Sequence, residues 1–66
     1  MRIMLNGKQA EFDSGLTVQG LLDMRGVSAA QVAVEINCSI VRREQFADQG
    51  IHEGDVVEIL RFVGGG

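Results

Sequence analysis

Apolar residues along this chain change their spacing four times, and each change predicts an element. Ile3 and Leu5 share one parity, and Asn6-Gly7-Lys8 then leads into a second short run that closes at Phe12. Asn-Gly between two such runs predicts a two-residue hairpin turn, because both turn positions require positive φ. Strands are expected at 2–6 and 9–12, with Ser14-Gly15 breaking the pattern. Val18, Leu21, Leu22 and Arg25 then fall at i, i+3, i+4 and i+7, which places the apolar side chains on one helical face. Thr17 is the expected N-cap and Gly26 the stop. Gly20 weakens such a helix by about 1 kcal/mol relative to alanine, so packing must hold it in place.

Period two returns at Val32, Val34 and Ile36. Asn37-Cys38-Ser39 reads as a turn before a short strand at Ile40-Val41. The stretch from Arg43 to Gln49 is polar apart from Phe46 and has room for one helical turn. His52-Glu53-Gly54-Asp55 is the last turn, and a strand is expected over 56–63. In that strand Val57 and Ile59 share the inward parity, whereas Val56, Leu60 and Phe62 share the other. One helix covers one face of a sheet, so Leu60 and Phe62 are expected on the outer face as partner-docking residues. The order β-β-α-β-β-β, with a long connection that lets the last strand lie parallel to the first, is the β-grasp arrangement. The predicted class is α+β, a mixed sheet of four to five strands packed on one α-helix.

Composition narrows the chemistry. Sixty-six residues make one domain, and one that buries only about 60% of its unfolded surface. Cys38 is the only cysteine, which excludes an internal disulfide, and with His52 as the only histidine a structural zinc site is not expected. The core has to carry the fold, and an apolar content of 45% allows it. Net charge is −3, the basic residues are scattered except for Arg42-Arg43, and three Phe with no Tyr or Trp leave no stacking platform. Nucleic acid is not an expected partner. No apolar run reaches the roughly 18 residues of a membrane span, and the opening turns polar too early for a signal peptide. A cytoplasmic location is expected. Cys38 has no neighbouring histidine or second thiol to activate it. His52 reads as a solvated loop residue beside Glu53 and Asp55, and the Arg42-Arg43-Glu44 run as a solvated face. No catalytic side chain and no metal ligand set is apparent.

After Val63 come Gly64, Gly65 and Gly66. Glycine has no Cβ, so such a strip fits a narrow channel with its backbone close to the walls. The expected division is a β-grasp domain at 1–63 and a flexible glycine tail at 64–66. The quoted stretches Ile3-x-Leu5-Asn6-Gly7, Leu16-Thr17-Val18-x-x-Leu21-Leu22, Val34 to Glu44, Gly54-Asp55 and Gly65-Gly66 resemble the ThiS-type sulfur carriers of thiamin biosynthesis, a ubiquitin-like β-grasp family. The resemblance covers essentially the whole chain. Arg42 departs from it, standing where family members commonly have proline, and Gly64 adds a third glycine where two suffice.

The resemblance implies a carrier and co-substrate, not an enzyme, with no bound cofactor and monomeric when alone. Its implied partners are a ThiF-type, E1-like adenylyltransferase that consumes ATP, a cysteine desulfurase route that supplies sulfur, and a ThiG-type thiazole synthase. Gly66 is the implied site of adenylation and thiocarboxylate formation, and Gly64 and Gly65 thread the tail. The molybdopterin synthase small subunit, a carrier feeding cysteine synthesis and a protein-conjugating modifier share the tail and remain alternatives. A binding module without tail chemistry is a further one.

Overall fold

The computed structural model describes residues 1–62. Its strands are β1 (Arg2–Leu5), β2 (Lys8–Glu11), β3 (Val32–Ile36), β4 (Ser39–Val41) and β5 (Val56–Arg61), with one helix, α1 (Val18–Arg25). They form a single five-stranded sheet in the order β2-β1-β5-β3-β4. The last strand is central, parallel to β1 and antiparallel to β3. This is the expected β-grasp fold.

Local chemistry fixes most of the boundaries. Asn6 and Gly7 both take positive φ (49° and 82°), as a tight two-residue hairpin turn between β1 and β2 demands. The Thr17 hydroxyl accepts from the Gly20 amide at 3.1 Å, and Gly26 closes the helix at φ 68° in the left-handed region. A helix start leaves amides without intrahelical partners. Here Val18 N–H donates to the Gln49 carbonyl and Gln19 N–H to that of Phe46, each at 2.9 Å. The polar stretch after β4, with a 3-10 turn at Arg43–Gln45, therefore serves as a backbone cap on α1. It also drives Phe46 and Ile51 into the core.

Val18, Leu21 and Leu22 of α1 pack against the inner sheet face, formed by Ile3, Leu5, Val32, Val34, Ile36, Val41 and Val57. Arg25, at i+7 of the same series, is exposed. Ile59 follows the inward parity and is half-buried against this cluster. β4 begins at Ser39, one residue earlier than expected, because Ser39 pairs with Ile36 across the two-residue turn Asn37-Cys38.

The terminal strand is shorter than the 56–63 expected from its apolar run. Its partner β3 begins at Val32, opposite Arg61, so no ladder remains for Phe62 to join. The Phe62 amide instead donates to the Gln31 carbonyl at 2.9 Å, at the end of a 3-10 turn spanning Ala29–Gln31.

Candidate functional site

Two asparagines hold β5 from opposite sides. Val56 N–H donates to Asn37 Oδ1 at 2.9 Å, and Ile59 N–H donates to Asn6 Oδ1 at 2.7 Å. Both asparagines sit at positive φ, a region that asparagine tolerates better than most residues. β1 pairs with β5 only at Met4–Val56 and Leu5–Val57, so the Asn6 side chain carries the ladder further than the strand does. Asn37 is itself fixed by donating from Nδ2 to Asp55 Oδ1 at 3.0 Å, while the other Asp55 oxygen accepts from His52 N–H at 2.8 Å. The strand that leads toward the glycines is thus tied along its length.

The face of the sheet away from α1 carries the expected apolar residues. Leu60 is 52% exposed and Phe62 60%, and the face extends to Ile40 at 72% and Val56 at 42%. Such exposure of four large apolar side chains is a patch in need of a cover. In the middle of it, Glu35 of β3 stands directly opposite Glu58 of β5, with Ile40 on the other side of Glu35. Both glutamates are half-buried, and neither makes an ion pair among the described residues. Like charges facing each other across an antiparallel pair are destabilising by roughly 0.2–1 kcal/mol.

Leu60 follows from strand parity alone, whereas Phe62, one residue beyond β5, is exposed past the end of the ladder. The Glu35–Glu58 juxtaposition does not follow from parity, since it depends on a register between strands far apart in the chain. The Asn6 and Asn37 clamps were hidden for another reason: turn asparagines are fully explained by their φ.

Gly64, Gly65 and Gly66 lie outside the described residues. Cys38 is exposed at φ 72° in the β3–β4 turn. His52 Nδ1 lies 3.9 Å from Asp55 Oδ2, and Arg42 pairs with Glu44 at 3.5 Å on the surface. Among the described residues no group of three or more His, Cys, Asp or Glu is placed to hold a metal. No helix among them is long and apolar enough to cross a membrane.

A five-stranded β-grasp sheet with one helix, whose central last strand presents an apolar outer face, defines a ubiquitin-like architecture. The ThiS family model matches residues 3–66, and the chain belongs to that family. It is 38% identical to the sulfur carrier protein ThiS of Bacillus subtilis, over 97% of this chain and 98% of that one. It superposes on the crystal structure of the thiamine biosynthesis protein ThiS from Geobacter metallireducens with a TM-score of 0.83, at 39% identity and with both chains fully covered. It is also 39% identical to a thiazole synthase of Paramagnetospirillum magneticum; all of this chain is matched, but it spans only 20% of that relative's length.

Proposed function

We propose that this chain is a sulfur carrier for thiamin thiazole synthesis, with Gly66 as the atom-bearing end. The observation that carries this reading is the end-to-end match to a sulfur carrier protein ThiS of the same size. The match to a fifth of a thiazole synthase supports that enzyme class as a partner, since a ThiS-like segment there shares one chain with it.

In the proposed cycle, an E1-like adenylyltransferase takes the tail along Gly64 and Gly65 and presents Gly66 to ATP. A carboxylate, ionised at neutral pH with an ordinary α-carboxyl pKa of about 3.3–3.7, attacks the α-phosphate. Pyrophosphate leaves and an acyl-adenylate forms, which turns a poor acyl donor into a good one. A persulfide sulfur from a cysteine desulfurase then attacks the carbonyl and AMP departs. A thiol supplies two electrons to cleave the S–S bond, leaving the thiocarboxylate that a thiazole synthase consumes. No side chain of the carrier takes part in the chemistry, and ATP is bound and spent on the partner.

The carrier's own task is to dock. Leu60 and Phe62 supply apolar area at the end of β5, and Ile40 and Val56 extend it back along the outer face. Ordering a backbone costs about 1–2 kcal/mol per residue, and burial of this face offsets it. Glu35 and Glu58 set the charge of the surface that covers it: a basic side chain entering between them relieves their repulsion.

The test is intact-mass measurement after incubation with the adenylyltransferase, ATP and a sulfur source. A shift equal to sulfur minus oxygen, located at Gly66 by fragmentation, is expected. No shift with an enzyme shown to be active would remove the proposal, and adducts on larger proteins would assign the chain to the conjugating modifiers.

A further inference from the structure

Beside the C-terminal end of β5, on the side of the sheet that carries α1, lies a cavity of about 320 Å³ lined by Asn6, Arg25, Val27, Val32, Ile59 and Arg61. Arg25 comes from the last turn of α1 and Arg61 from the end of β5. Among the described residues neither guanidinium makes an ion pair or a side-chain hydrogen bond, and none that lines the cavity is acidic. Asn6 contributes its amide, whose oxygen already accepts from Ile59 N–H. What remains of that amide is its NH2 group, a donor. The polar side-chain groups left to the cavity are therefore all donors, over walls of buried Val32 and half-buried Val27 and Ile59.

Two ordinary roles account for part of this. A cation in the last helical turn complements the partial negative charge there, and arginine stems cover apolar surface. The helix end offsets about half of one charge. It leaves the second guanidinium, brought to the same hollow by a different element, without an acidic counterpart among the described residues.

The geometry points to a binding site for a phosphate group between Arg25 and Arg61. A phosphate dianion matches two guanidinium charges and offers several oxygens to their planar forks, while a carboxylate would neutralise one charge only. The cavity is near the lower end of the range of about 300–1,000 Å³ for ligand pockets, so it accommodates inorganic phosphate or a small phosphate monoester whose organic part lies on Val27, Val32 and Ile59. The site lies on the face of the sheet opposite Leu60 and Val56, and it stands or falls independently of the carrier reading.

The experiment is an NMR titration of the isotopically labelled full chain with inorganic phosphate, at constant ionic strength maintained with chloride. Saturable shifts are expected at the Asn6 side-chain amide and at the Arg25 and Arg61 Nε–H groups. Arg25→Gln and Arg61→Gln, both at exposed positions, are each expected to weaken binding about tenfold, whereas Arg42→Gln leaves it unchanged. Phenyl phosphate in a second arm identifies the source: tighter binding assigns an ester, and equal binding the free anion. Shifts that are linear, matched by chloride alone, or preserved in both Gln variants would overturn the site.

Discussion

Glu58 and Glu35 face each other in a protein where a single substitution removes the conflict. Glu58→Gln is expected to stabilise the isolated chain by roughly 0.2–1 kcal/mol, read as a higher urea midpoint at constant slope. Glu35→Gln should do the same, and the double variant should gain less than the sum, because either change alone ends the repulsion. Under the docking proposal, the same variants are activated more slowly. Asn6 makes a complementary case. Asn6→Gly keeps the positive φ but deletes the acceptor for Ile59 N–H, and should cost about 0.5–1.5 kcal/mol. Faster hydrogen exchange at the Ile59 amide than at Val34 would locate that loss on β5. Turn glycines and asparagines were readable because φ restricts residue choice. The second use of Asn6 and Asn37 was not, because a hydrogen bond to a strand more than fifteen residues away leaves no local signature.

At the level of elements, α1 depends on its ends more than on its own eight residues. Its cap is split between Thr17 and carbonyls of the 46–49 segment, so Thr17→Ala should cost about 1 kcal/mol. The change is measured as a fall in thermal midpoint together with faster exchange at the Gly20 amide. Helix limits, the hairpin and the inner faces of β3 and β5 were legible from periodicity and cap residues. The capping role of 46–49 was not, since it is performed by main-chain oxygens, which any sequence supplies. The length of β5 also escaped the pattern: apolar residues run on to Val63, but a strand ends where its neighbour does, at Val32 of β3. At the end of β5 and just beyond it, Leu60→Asp and Phe62→Asp are expected to leave the fold intact and, under the proposed cycle, to slow adenylation. Unchanged activation with both would retire the outer face as the docking surface.

Across the molecule, twelve apolar residues are buried among the described residues, and a single cysteine leaves no disulfide to support them. A domain of this length is stabilised by about 3–10 kcal/mol in total. Leu22→Ala, at a fully buried position on α1, should remove about 2–5 kcal/mol and leave much of the population unfolded at 37 °C. Circular dichroism melting checks this directly. Against so small a margin, four exposed apolar side chains and a facing pair of carboxylates on one side of the sheet are costly features to retain. Their gathering on one face of the sheet, running along β5 to Leu60, ties the fold to its proposed use.

The hydrogen bond from Phe62 to Gln31 also works as an anchor point with a fixed tether. From the Phe62 Cα to that of Gly66 there are four residues, and a fully stretched chain covers at most about 3.6 Å for each, or about 14 Å in all. Any enzyme that reacts with Gly66 while resting on the sheet must keep its nucleotide or acceptor inside that radius. Under the proposed cycle, distance from the anchor, and not affinity alone, then decides which proteins can be served.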